Sequence, residues 1–384
     1  MSSSYIPAKT QTQLWALAAG RCEFSGCNKF LVGDLVAGRE DGKFGFVAHI
    51  VADSENGPRG DKIRSPQLAS EISNLMLMCP IHHKEIDVDH VDDYPENVLI
   101  AMKREHESRI EMVTDMDADR AAHVLRFAAT IGQMDSLVST KAIFAAMPPD
   151  RHPAERRTID IELNSEVKDD EPSFWEMQSE HLRRQFARKV KERIEQKDIL
   201  QLSVFALAPQ PLLIELGTLL GDIMPVTVHQ KYREPSGWKW LLHQPAINFK
   251  VGEHSGPKDV PVALKLAISA TIDDQRIRSV LGANTAIWSI TADEPHNDIM
   301  RRPEDLAIYK THLRRLLDRI KAHHGEDASI NVFPAVPVSV AVETGRTRMP
   351  KADLPLIIYD QSSQKGFVRT IKIGNQFKIV ASKY

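Results

Sequence analysis

Three cysteines and two adjacent histidines carry the clearest chemistry in the chain. Cys22 and Cys27 are separated by four residues in RCEFSGCNKF, and Cys79 and His82 by two in CPIHH. Two such knuckles, far apart in sequence, match the ligand spacing of a closed Cys3His site, and zinc prefers thiolate and imidazole donors. Cysteines can also be small buried hydrophobes. Here all 3 cysteines fall into the pattern with none left over, so a structural zinc site is expected. That accounts for His82 and leaves His83.

The elements that must position these residues can be read from periodicity and punctuation. Residues 8–20 predict a short helix that stops at Gly20, followed by the cysteine loop and two strands, LVGDLVAG and KFGFVAHIVA. DSENGPRGDKIRSP is a polar loop. Next come a short apolar strand ending at Cys79, the start of a helix, and a longer helix through ENVLIAMKREHESRIEMV. Residues 115–147 look helical and TIDIEL restarts as a strand. Beyond it, strands and helices alternate to the end of the chain, which argues for an α/β sheet region built as two related halves. No short internal repeat is evident.

At 384 residues the chain is long enough for two domains. With 42% hydrophobic and 26% charged residues it has the composition of a soluble globular protein. It shows no bilayer-length apolar run and no leader-like start, which predicts a cytoplasmic protein with no membrane partner. An odd count of cysteines, all before residue 80, argues against a secreted disulfide framework. The net charge of -3 hides an asymmetry, because residues 1–120 carry 13 Lys and Arg against 20 Asp and Glu. So acidic a segment is a poor free-standing binder of a polyanion. Its one basic cluster, Arg59, Lys62 and Arg64 in GPRGDKIR, is the candidate contact to a DNA backbone.

His49 in FVAHIVA, Asn74, the apolar strand and His83 in NLMLMCPIHHK, arranged around a zinc knuckle, resemble the HNH nuclease signature over about residues 20–110. The resemblance implies a ββα-metal fold and hydrolysis of double-stranded DNA with little sequence preference. It makes His49 the general base, Asn74 the residue that holds the His49 loop, and His83 a ligand to a catalytic divalent ion, commonly Mg²⁺. Asp87 lies four residues after His83, on the same helical face, and is the candidate second ligand. One position departs from the pattern. Many HNH proteins have Asp or His just before the general base, where this chain has Ala48, so Asp87 or another carboxylate such as Asp53 would have to complete the site.

The segment LSVFALAPQPLLIELGTLLGDIMPVTVHQKYREPSGWKW, with SINVFPAVPVSVAVETGRTRMPK and PLIIYDQ, resembles the SAVED domain. That domain is the sensor of bacterial antiphage CBASS systems and is built of two fused Rossmann-like, CARF-like halves. The resemblances together imply an α+β zinc-containing HNH domain (1–112), a helical connector opening the sensor (113–164) and an α/β SAVED domain (165–384). They imply a nuclease that assembles into a homo-oligomer and degrades DNA during infection, causing abortive infection, once a cyclic oligonucleotide binds. A cyclic dinucleotide such as cyclic GMP-AMP is favoured over a trinucleotide.

Phosphates suit cationic and amide groups, and bases suit aromatic rings. Gln230, Lys231, Tyr232, Arg233, Trp238 and Trp240 are therefore candidate ligand contacts at one strand end. Pro334, Ala335, Pro337 and Ser339 are the candidates at a second, where small residues allow close approach and a helix start favours an anion. The alternatives are an HNH restriction-type enzyme that reads DNA directly and a nucleotide sensor with an inactive nuclease module.

Overall fold

The computed structural model describes residues 5–34, 39–114, 120–129, 139–164, 171–222, 224–241, 243–362 and 365–374. The chain divides into two compact units, Met1–Asp117 and Ala118–Tyr384.

In the first unit, α1 (Ala8–Leu17) ends before Gly20, whose φ of +64° suits glycine. The cysteine loop then closes through a bridge between Arg21 and Phe30. β1 (Val32–Asp34) and β2 (Arg39–Lys43) form one antiparallel pair. β3 (Phe46–His49) and β4 (Leu75–Met78) form another, with Phe46 opposite Met78 and His49 opposite Leu75. The loop between them carries α2 (Arg64–Leu68) and a 3-10 turn, Ile72–Asn74. After β4 come α3 (Pro80–Lys84), a π-helical turn Glu85–Asp89, and α4 (Glu96–Thr114). All four side chains of β4 are buried, and with Leu14, Leu31, Ile50, Ile86, Leu99, Cys22 and Cys79 they form one small core. A core of this size is where a metal tie counts.

The second unit contains two sheets. The first is parallel and holds β5 (Ala121–Ala129), β6 (His152–Pro153), β7 (Ile159–Leu163), β8 (Leu202–Leu207) and β9 (Val226–Val228). β5 and β8 are central, with β6 and β7 outside β5 and β9 outside β8. Its helices are α5 (Thr140–Ala146), α6 (Pro172–Phe186), which runs through a π-helical turn into α7 (Glu192–Glu195), and α8 (Gln210–Leu220). The second sheet holds β10 (Phe249–Gly252), β11 (Val262–Ala267), β12 (Ala286–Ala292), β13 (Ile330–Ala335), β14 (Leu356–Ser362) and β15 (Gly366–Ile373). Their order is β10-β12-β11-β13-β14-β15, parallel inside and antiparallel at both edges. Its helices are α9 (Asp274–Leu281), α10 (Pro303–His324) and α11 (Val338–Thr347). Among the described residues no helix is long and apolar enough to cross a membrane.

One expectation is corrected. Residues 121–129 are not helical; they form the central strand β5, buried on both faces. AAHVLRFAA is rich in helix formers, and a strand covered on both sides loses the alternation that would reveal it. In consequence 113–164 is not a helical connector, because β5, β6 and β7 belong to the first sheet of the second unit.

The expectation of two related halves agrees with a long internal repeat. LSVFALAP (202–209) and INVFPAVP (330–337) share their Val, Phe and Pro at a spacing of 128 residues, and Glu215/Gly217 and Glu343/Gly345 follow at the same spacing. The structure gives these pairs equivalent places. Phe205 stacks on His229 (4.1 Å) and meets Trp238 edge-on (5.3 Å). Phe333 stacks on Tyr359 (4.5 Å) and meets Phe367 edge-on (5.0 Å).

Candidate functional site

The two knuckles converge as their spacing predicts. The ligand atoms of Cys22, Cys27, Cys79 and His82 all lie within 4.8 Å of one another. Nδ1 of His82 is 3.7 Å from Cys22 Sγ and 3.2 Å from Cys79 Sγ. A tetrahedral ion about 2.3 Å from sulfur and about 2.0 Å from nitrogen spaces those donors about 3.6 Å apart. The Cys79 amide donates to Cys22 Sγ (3.3 Å), and the Phe24 ring lies flat on His82 (4.0 Å between centroids). Burial first, with the neighbouring Cys79 and Cys27 adding to it, pushes the Cys22 thiol up to about 12, so a thiolate here needs a cation beside it. Three thiols and one imidazole form a closed site for a soft divalent ion.

His49 ends β3 and is buried. Its Nε2 lies 2.9 Å from the carbonyl oxygen of Ala69. A carbonyl only accepts, so in the neutral ring the proton sits on Nε2 and the lone pair on Nδ1. Asn74 grips the chain just beyond. Its Oδ1 accepts from Val51 N (2.8 Å), its Nδ2 donates to Val51 O (2.9 Å) and Leu68 O (3.2 Å), and its own carbonyl accepts from Ile50 N (2.8 Å). His83 on α3 is partly exposed and stacks on Phe46 of β3 (5.0 Å). Its Nε2 is 3.4 Å from Asp87 Oδ2, as helical spacing predicts.

The basic cluster does not act together. Arg59, at φ +57°, turns inward and donates to Ile50 O (2.6 Å), Ile86 O (2.8 Å) and Asp87 Oδ1 (2.6 Å). It is therefore an internal strut, not a phosphate contact, and it neutralises the carboxylate expected to bind metal. Arg64 holds Glu96 with both guanidinium nitrogens. Only Lys62 remains exposed without a described partner. Ala48 is fully buried in the core, so its position has no access to a ligand.

In the second unit the two predicted strand ends meet. Gln230 Oε1 accepts from the amide (3.1 Å) and hydroxyl (2.7 Å) of Ser339, at the start of α11. Gln210, opening α8, accepts from Val336 N (3.3 Å), just ahead of α11. Arg346 near the end of α11 donates to Gly221 O, where α8 stops (3.1 Å). The helices thus run side by side in the same direction, and each begins directly after a proline, Pro209 or Pro337. The crossing depends on glycine, since a Cβ at Gly217 would collide with Val342 O and one at Gly345 with Ile214 O. Two helix N-termini at one end of the pair make that end positive.

The same end holds the carboxyl ends of β8 and β13, where chain connections diverge to opposite sides of each sheet. In open α/β sheets that is where ligands bind. Pro334 and Ala335 lie on β13, and Ala335 O takes the amides of Ile268 (2.9 Å) and Ser269 (2.8 Å). The aromatic candidates divide differently. Trp238 is a core residue packed among Phe205, Ile143 and Met147, not a stacking platform. Tyr232 is buried, Trp240 is half-buried against the main core, and Lys231 and Arg233 stay accessible. His229, which the sequence reading missed, is stacked on Phe205 and buried without a described partner for either nitrogen, and that burial pushes it down to about 4.

The model of the SAVED family, the SMODS-associated and fused to various effectors sensor domain, matches residues 182–373. The chain belongs to the SAVED family. The matched SAVED segment starts inside α6 and includes both sheets' central strands except β5. No curated protein matches the chain. Among solved structures, an Acinetobacter baumannii Cap4 SAVED/CARF-domain receptor with the cyclic trinucleotide 3'3'3'-cAAA is similar at 10% identity and TM-score 0.44, over 74% of this chain and 60% of that one. A Moraxella osloensis Cap4 SAVED/CARF-domain receptor is similar at 9% identity and TM-score 0.41, over 74% and 59%. The SAVED chain thus spans about three-fifths of the length of these structures.

Proposed function

We propose that the protein is a DNA endonuclease of the HNH type controlled by its SAVED sensor domain, acting in CBASS antiphage defence and activated by a cyclic oligonucleotide. The observation that carries the nuclease half is the fixed tautomer of His49, with Asn74 clasping the two residues that follow it. Nδ1 of His49 takes the proton from an attacking water, and the Ala69 carbonyl steadies the imidazolium through Nε2. Asn74 keeps that imidazole in place. His83 would hold a divalent ion such as Mg²⁺, which when bound supplies Lewis-acid stabilisation at the scissile phosphate. The Cys3His cluster takes zinc and acts structurally, joining the loop after α1 to the start of α3.

The sensor half rests on the paired N-termini of α8 and α11, which suit the phosphates of a cyclic di- or trinucleotide. One observation favours a second reading, a sensor whose nuclease module is inactive. Asp87 is neutralised by Arg59 and Ala48 is sealed in the core, so neither position offers His83, itself 3.4 Å from Asp87 Oδ2, a free second metal ligand.

Plasmid cleavage with Mg²⁺, with and without cyclic GMP-AMP and cyclic tri-AMP, separates the possibilities. Ligand-dependent cutting is the expected result. Cutting without ligand supports a restriction-type enzyme, and none under any condition supports the inactive module.

A further inference from the structure

The segment after β9 crosses from the first sheet's half of the SAVED domain to the second. Tyr232 and Gly237 pair in both directions, at 2.9 and 3.4 Å, which closes residues 232–237 into a tight loop with an exposed tip. From just before it, Lys231 Nζ donates to Ser236 Oγ in the loop (2.9 Å). At the base, Gln230 is bonded to Ser339 of α11. Among the described residues, one side chain of the other half holds the tip. Both carboxylate oxygens of Asp298 accept backbone amides, from Arg233 at 2.9 Å and Glu234 at 3.0 Å. Asp298 lies on the connection between β12 and α10, and its own carbonyl accepts from Arg301 Nε (2.9 Å), so the clip is braced from behind. Beneath the loop, Tyr232 is buried and its hydroxyl has no partner among the described residues.

These features have opposite consequences. A carboxylate accepting two amides is a strong, directional hold. A buried hydroxyl without a partner disfavours the arrangement that buries it. A loop clipped at its tip over an unsatisfied group is set to open when the clip is lost.

We infer that Asp298 is a positioning residue for the sensor site: it clips the loop carrying Lys231 and Arg233 to the second half, so that both cations reach the phosphates of a cyclic oligonucleotide bound at the α8 and α11 N-termini. The inference rests on the sensor reading above and adds a residue that touches neither helix.

The experiment pairs amide hydrogen exchange with binding of cyclic GMP-AMP and cyclic tri-AMP to the full chain. In Asp298→Ala the Arg233 and Glu234 amides should exchange at least tenfold faster, while those of β13 stay at the wild-type rate. Affinity for whichever nucleotide the wild type binds should fall about tenfold. Asp298→Asn, which keeps one acceptor oxygen, should fall between. Tyr232→Phe should slow exchange at the same two amides. Unchanged exchange in Asp298→Ala overturns the clip. Faster exchange with wild-type affinity overturns the role in binding. A wild type that binds neither nucleotide defeats the sensor reading and the ligand half of the inference together, while the exchange result still decides whether Asp298 holds the loop.

Discussion

The two units of this chain are held together in contrasting ways. The first has a small core and gathers its structure around four ligand atoms from two distant loops. The second has a core shared by two sheets and two parallel helices that meet at glycine, with no comparable cluster of metal ligands among its described residues. The difference shows where each unit is vulnerable. A unit organised by a few donors fails when one donor is lost. A unit organised by burial fails when backbones can no longer approach.

The sharpest test of that contrast is Cys79→Ser. Structural zinc sites contribute on the order of 10 kcal/mol, more than a small core supplies, so the first unit should lose its metal and unfold. The second unit should keep its own unfolding transition. Elemental analysis and two-transition melting check this, and a wild type without bound metal removes the contrast.

His49→Ala comes next. It leaves every metal ligand and the Asn74 clasp in place but should slow DNA cleavage about 10²–10⁴-fold, roughly 3–5 kcal/mol of barrier. Single-turnover cleavage at saturating nucleotide reads it. Activity within tenfold of wild type would assign the base to another group.

In the second unit the equivalent weak point is a missing side chain. Gly345→Ala places a methyl against the Ile214 carbonyl, and two backbones cannot yield as side chains do. We expect about 3 kcal/mol of lost stability or more, measured as a lower urea midpoint for that unit at unchanged metal content. Gly217→Ala should match it, because the crossing is reciprocal.

The smallest effect is set by pH. His229 in the folded chain is pushed down to about 4 by burial, against 6.5 for the ordinary group. Between those values the unfolded chain takes up a proton and the folded chain does not, so acid favours unfolding. The stability present above pH 6.5 should fall by at most about 3 kcal/mol as pH drops to 4. His229→Phe keeps the stack on Phe205 and should flatten that part of the profile.

The metal cluster was legible in the sequence because each knuckle is local: a few residues of loop fix which donors face inward. The pairing of His49 with Asn74 came only from the HNH resemblance, since the two residues stand 25 apart and no local pattern joins them. Arg59 was not legible. A basic residue in a polar loop reads as solvent-facing, and only the fold shows that its backbone turns left-handed and delivers the guanidinium to Asp87 and three carbonyls. Trp238 shows the converse failure. An aromatic in a loop near a strand end reads as a binding platform until Phe205 and Ile143 are seen against it. The repeat was present in the sequence, but five identities spaced 128 residues apart have no meaning until Phe205 and Phe333 occupy equivalent sites.

By itself the sequence determined which residue types lie at which short spacings: the Cys3His ligands, the His-Asn-His series, and the strand-to-helix junctions at Pro209 and Pro337. Hydrogen-bonded turns and helical periodicity act over a few residues, so such features survive without knowledge of the fold. Only the tertiary structure decided which charges are spent internally, that β5 is covered on both faces, and that α8 and α11 start at the same end. Those depend on contacts between distant segments, from 28 residues for Arg59 and Asp87 to 109 for Gln230 and Ser339 and 125 for Arg346 and Gly221, and no local pattern encodes the partner at that range.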